Sequence, residues 1–271
     1  MGIFDFFKKK APEKAPPPLG STYSPPPPAN VAPNYPNAPV NTRKEEAIQT
    51  LSLRKETFAL SLRKKSMENV IARIAVAMDK SGSMKKLYKD GTVQSVVERL
   101  LPVAVRLDDN GELDMWLFAD NAKRLQSISE QDFFDYVKRE ILNNPANDFW
   151  GGTDYAPVIH DIVQKYVREE PSNVPTFVIF ITDGENYDKE EAKQAIIQAS
   201  HHNIFFQFIG IGDEDFNFLK TLDTMGGRYI DNANFFEIQN VNLVSDDELY
   251  DLLLNEYPSW EREAKRVGLL Q

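Results

Sequence analysis

Two apolar runs, VIARIAVAMD at residues 70–79 and PTFVIFITD at 175–183, each stop abruptly at an aspartate. They are short for helices and rich in β-branched residues, so each reads as a strand buried on both faces. A third run, NIFFQFIGIGD at 203–213, has the same character. Strands of this kind need cover on both sides, which helical crossovers between parallel strands supply. The intervening segments have the right period. Val93, Val96, Val97, Leu100, Leu101 and Ala104 fall on one helical face, with Pro102 expected to kink it. YAPVIHDIVQKYVREE and DKEEAKQAIIQASHH read as two further helices, and GELDMWLFA as another strand. The expected fold is therefore α/β, a doubly wound, mostly parallel sheet flanked by helices on both faces. Ligands in such sheets bind at the carboxyl ends of the strands. Asp79 and Asp183 both fall at that edge.

The N-terminal part follows other rules. Residues 1–42 hold 11 of the 17 prolines, including APPPLG and SPPPPAN. Proline removes backbone donors and fixes φ, so this stretch is expected to be a disordered, solvated arm. At its start, Ile3, Phe4, Phe6 and Phe7 precede three lysines and would form a short docking segment for a partner or a membrane surface. Residues 43–271 are expected to form one domain. Within it, LSLRKETFALSLRKK alternates Leu51, Leu53, Phe58, Leu60 and Leu62 with polar residues, which predicts a β-hairpin over about 50–63 turning near 55–56. At the far end, the helical pattern over 245–270 is interrupted near Pro258.

Charge narrows the partners. The arm carries +2 of the formal −10, leaving −12 on residues 43–271. That acidity disfavours nucleic acid and anionic membrane, and suits a cation. There is no cysteine, hence no disulfide, thiolate zinc site or cysteine nucleophile. No secretion signal and no bilayer-length apolar run are read from the sequence, so a cytoplasmic location is expected.

Three segments converge on the carboxyl edge. One gives Asp79, Ser81 and Ser83; the second, WGGTDYAP, gives Thr153 and the neighbouring Asp154; the third, ITDGE, gives Asp183. All their donors are hard oxygens, which suit Mg²⁺, Mn²⁺ or Ca²⁺ rather than zinc. Gly82 permits the first turn, while Gly151 and Gly152 allow a close approach of the second. An ion held largely by neutral hydroxyls keeps its positive charge and would take another oxygen from a partner. Around it, Lys80, Gly152, Asp154 and Glu185 are candidates for a partner-binding rim. LDDNGELD at 107–114 has the look of a calcium loop but lacks its spacing and terminal glutamate, and reads as a turn.

The motifs Asp-Lys-Ser-Gly-Ser-Met at residues 79–84, Gly-Gly-Thr-Asp around Thr153 and Ile-Thr-Asp-Gly around Asp183 resemble the metal-ion-dependent adhesion site of von Willebrand factor A (vWA) domains. The stretch LYKDGTVQSVVERLLPVAVRLDDNGELDMWLFAD is similar to the TerF-like branch associated with tellurium resistance. The resemblance covers roughly residues 48–270. It implies a Rossmann-like vWA fold and a protein-binding module in a bacterial stress-response complex. It also implies a metal held directly by Ser81 and Ser83, directly or through water by Asp79 and Asp183, and by Thr153 once a ligand is bound. The partner would supply a carboxylate.

Two other readings remain at this level. In one, the metal is a non-exchanging structural ion in a scaffold. In the other, Asp79 is the nucleophile of a hydrolase; that chemistry needs an acid two residues on, where Ser81 stands. Neither a phosphate-binding loop nor a nucleophile elbow is present. The expectation is a non-enzymatic binding module.

Overall fold

The computed structural model describes residues 39–271, and the expected arm and its docking segment lie almost wholly outside them. Helix α1 spans Val40–Lys65, followed by β1 Arg73–Asp79, α2 Lys85–Lys89, α3 Thr92–Leu107, β2 Asp114–Phe118 and β3 Ala122–Arg124. Then come α4 Ala156–Val163, β4 Thr176–Thr182, α5 Lys189–Ala199, β5 Ile204–Ile211, α6 Asn217–Thr224, β6 Ala233–Ile238, α7 Asp246–Leu253 and α8 Tyr257–Arg266. Pro258 stands in the first turn of α8, where its missing N–H costs nothing.

The six strands form one sheet in the order β3-β2-β1-β4-β5-β6. All neighbours are parallel except the β2–β3 pair. The winding direction reverses between β1 and β4, so their carboxyl ends flank the topological switch point. Met78 is in register with Ile181, which sets Asp79 beside Thr182.

Alternate residues of the central strands feed two cores. Ile74, Val76 and Met78 join Phe177, Ile179 and Ile181 beneath α1, α3, α7 and α8. Ala75 and Ala77 join Val178 and Phe180 against α4, α5 and α6. Helices therefore cover both faces, as the two-sided apolar strands require.

The hairpin expected over 50–63 is not formed. Those residues lie inside α1. The buried positions Leu51, Arg54, Phe58, Ser61 and Leu62 follow a helical stripe, while Leu53 and Leu60 point outward and are about half exposed. The leucine spacing fits either period. Two physical factors favour the helix: strong helix formers with no Gly, Pro or Asn to make a turn at 55–56, and burial against α3 and α7. Arg54 clinches the packing through ion pairs to Glu98 and Asp246. The helix also starts at Val40, so the arm boundary expected at residue 42 falls within its first turn.

Candidate metal site

Asp79 ends β1 with its side chain fully buried. One oxygen, Oδ2, accepts the Thr182 hydroxyl at 2.6 Å; the other, Oδ1, accepts the Ser81 backbone N–H at 2.6 Å. The second bond is the local carboxylate-to-backbone contact that turns a chain leaving a strand. Across that turn, Ser81 Oγ lies 3.0 Å from Ser83 Oγ. Ser83 Oγ in turn donates to Asp183 Oδ1 at 2.8 Å, just beyond the end of β4. Four of the five expected ligands are thus joined by one chain of short contacts. Ser83, unlike Asp79, is exposed to solvent, so this chain runs from the core to the surface.

Thr153 arrives on a separate loop held in place by backbone bonds. Ser81 forms a parallel bridge with Gly151, and Gly82 N–H donates to the Gly151 carbonyl at 3.1 Å. Tyr187 N–H donates to the Thr153 carbonyl at 2.9 Å. The two glycines are needed for close approach. A Cβ on Gly151 would meet Asp120 Oδ2 at 2.4 Å, and one on Gly152 would meet Asp120 Oδ1 at 2.7 Å. Asp120 Oδ1 instead accepts the Gly152 N–H at 2.7 Å.

The electrostatics are unbalanced. Burial pushes the Asp79 carboxyl up to about 6, against the lowering effect of its hydrogen bonds from Thr182 and Ser81. Asp183 is also raised, chiefly by burial. Among the described residues, no lysine or arginine is a leading influence on either carboxylate.

The rim expectations fare unevenly. Lys80 is not at the rim. Its side chain is buried, with the ammonium on the Asn147 carbonyl and 4.6 Å from the centre of the Trp150 ring. Strand alternation explains this: the residue after Asp79 points to the opposite side of the chain. Burial lowers its pKa. Gly152 lies against Asp120 and the Tyr187 ring. Asp154 is half-buried, donates its N–H to the Ala119 carbonyl, and is raised in pKa first by burial. It does not cap α4; Asp188 does, accepting the Tyr155 and Ala156 N–H groups at 2.9 and 2.6 Å. Glu185 pairs with Lys189 and accepts the Phe218 N–H.

Sequence reasoning passed over two residues that shape this site. Thr182 holds Asp79, and Asp120 holds the Gly-Gly loop. Asp120 was findable: MWLFAD is an apolar strand run closed by an aspartate, the same signal that picked out Asp79 and Asp183. Thr182 carries no such signal, because its role depends on β1 lying beside β4.

The donor set suits a hard divalent cation. Two carboxylates without a cationic partner among the described residues converge with two hydroxyls, a combination that an ion would neutralise. Among the described residues no three His, Asp or Glu side chains gather into a metal cluster, so such an ion would depend on the serine hydroxyls.

A protein-family model described as the vWA domain found in the TerF C terminus matches residues 71–270. The chain therefore belongs to the TerF-like family of von Willebrand factor A domains. It is 48% identical over 222 residues to the protein YcbR of Bacillus subtilis (strain 168), covering 82% of this chain and 90% of that one. Among solved structures it is similar to proximal thread matrix protein 1 from the mussel byssus, at 16% identity and a TM-score of 0.49. That match covers 68% of this chain and 46% of the mussel protein, so the chain spans under half of that relative's length. The manganese-loaded TRAP protein of Plasmodium vivax is matched at 20% identity and a TM-score of 0.47, over 68% of this chain and 72% of that one. Helix α1 precedes the residues matched by the family model.

Proposed function

We propose that this domain binds a protein partner through a divalent cation, Mg²⁺ in the first instance with Mn²⁺ or Ca²⁺ as substitutes. Asp79, Ser81, Ser83, Thr153 and Asp183 would hold the ion, and the partner would complete its coordination with a carboxylate. Membership of a vWA family supports an interaction role. The observation that carries the reading is the hydroxyl–carboxylate chain from buried Asp79 to exposed Ser83, with no lysine or arginine among the leading influences on either of its acids in the described residues. With neutral hydroxyls among its ligands, an ion there would stay electrophilic at the solvent side, where a foreign carboxylate can reach it. The setting that fits the TerF-like membership is a bacterial stress-response complex of the tellurium-resistance type, in the cytoplasm. No helix of the described residues is long and apolar enough to cross a membrane.

Affinity capture from a cell extract with and without Mg²⁺ tests this reading. Partner retention is expected only with the ion, and is expected to vanish in Asp79→Ala while circular dichroism stays unchanged. Retention that survives both EDTA and Asp79→Ala would refute it. A metal that stabilises the fold but recruits nothing would favour the scaffold. Turnover of a phosphate ester would instead establish the hydrolase.

A further inference from the structure

The rim of the candidate site has two unlike flanks. On one side Ser83 leads directly into α2, whose Lys85, Lys86 and Lys89 are all exposed. Among the described residues, none of the three pairs with a carboxylate. The Lys85 ammonium stands 5.3 Å from the centre of the Trp150 ring, one residue before the glycine that bridges to Ser81. On the other side, the loop after β5 carries exposed Asp213, Glu214 and Asp215, with Glu214 close enough for its charge to be felt at Asp183. Beside the Thr153 loop stands Tyr187, 82% exposed. Its ring would lie 3.1 Å from a Cβ on Gly152, and its N–H is bonded to Thr153.

A chain of formal charge −10 repels an acidic ligand over most of its surface. Three lysines beside the cradle, without a carboxylate partner among the described residues, supply a local exception, and complementary charge governs both encounter and register. An aromatic ring left this exposed at a binding edge is the residue type that dominates interface energetics. Resting on the function proposed above, we propose that the partner element is a protein segment with several acidic residues. One carboxylate reaches the ion, and the neighbouring acids lie over α2 and Trp150, away from the loop at 213–215. Tyr187 packs against the segment beside the ion-binding carboxylate. The direction of approach is thus set by the two flanks, and specificity by acids beyond the one that meets the metal.

Two synthetic peptides test this: acetyl-Gly-Gly-Asp-Gly-Gly-amide, and the same peptide with glutamates replacing the glycines on one side. Binding is followed by amide chemical-shift titration of the ¹⁵N-labelled chain in Mg²⁺. The acid-flanked peptide is expected to bind about tenfold tighter, roughly the summed worth of a few surface charge pairs. That advantage is expected to shrink with added salt and disappear in the triple variant Lys85→Gln, Lys86→Gln, Lys89→Gln. Shifts should fall on α2 and Trp150. Tyr187→Ala should weaken both peptides severalfold, and all variants should keep the wild-type spectrum elsewhere. Equal affinities for the two peptides, or shifts centred on 213–215, overturn the inference while Mg²⁺-dependent binding leaves the function above intact. Binding indifferent to Mg²⁺ and to Asp79→Ala, or none at millimolar peptide, overturns both.

Discussion

Asp79 closes β1 and Asp114 opens β2, so two carboxylates drawn away from solvent stand at opposite edges of the same sheet. Their surroundings differ in one respect. Asp114 Oδ2 accepts Lys165 Nζ at 2.7 Å and the Tyr166 hydroxyl at 2.6 Å, and its Oδ1 accepts Ser127 Oγ at 2.6 Å. Burial works to raise its pKa, but Lys165, Ser127 and Tyr166 outweigh it and leave the group lowered. Asp79 has only neutral donors, and burial wins. The same residue type is therefore a finished structural pair at the amino edge and an unfinished charge at the carboxyl edge. The difference teaches where to look for function: at the acid the protein has not neutralised by itself.

The widest test exchanges the two acids. Asp114→Ala leaves Lys165 and Tyr166 without their acceptor and is expected to destabilise by about 3 kcal/mol. That is a melting-temperature loss of about 6–10 °C for a domain of this size, with Mn²⁺ affinity unchanged. Asp79→Ala should do the reverse, lowering Mn²⁺ affinity by about 100-fold or more with little loss of metal-free melting temperature. Calorimetry and metal titration on both variants read this directly. Similar effects from the two would erase the distinction.

pH sharpens it next. A carboxyl whose pKa is raised on folding stabilises the fold most when protonated. Its contribution is complete below the unfolded value near 4 and is lost as pH rises through about 6. For buried Asp79 this amounts to about 2–3 kcal/mol in the metal-free protein. Asp108 at the amino edge, also pushed up to about 6 by burial, acts with the same sign but more weakly because it is partly solvated. Melting temperature followed from pH 4 to 7 should therefore fall without metal. Saturating Mg²⁺ should cancel the Asp79 part, as Asp79→Asn does. The Asp108 part should respond only to Asp108→Asn. A pH profile untouched by Mg²⁺ would count against an ion at Asp79.

Thr182→Val removes the hydroxyl bonded to Asp79 and is expected to weaken Mn²⁺ binding about tenfold. Isothermal titration reads it; an unchanged affinity would mean that Thr182 only fills space. The smallest effect is expected at Gly152→Ala. Its Cβ would press on Asp120 and the Tyr187 ring, shifting the Thr153 loop at a cost of about 1 kcal/mol in stability. Partner or peptide binding should fall several-fold while affinity for the bare metal stays nearly constant.

Much of the site was legible because its signals are local. A strand run closed by an acid, followed by hydroxyls at alternate positions, is a pattern within six residues. Lys80 was misjudged because exposure is not local: its ammonium finds the Asn147 carbonyl and the Trp150 ring, 67 and 70 residues further on. Thr182 was invisible for the same reason.

The sequence by itself determined the class of fold and singled out Asp79, Ser81, Ser83 and Asp183, which short contacts join, because two-sided apolar strands admit few architectures and because the hydroxyl spacing is short-range. Only the tertiary structure decided that residues 50–63 are helix. Leu51 to Leu62 satisfy both periods on paper, and burial of Arg54 against Glu98 and Asp246 selects one of them. It alone also decided which acids go without a counter-charge. Asp79 and Asp114 are the same letter in the sequence, and a lysine from a helix 51 residues past Asp114 makes them chemically unlike.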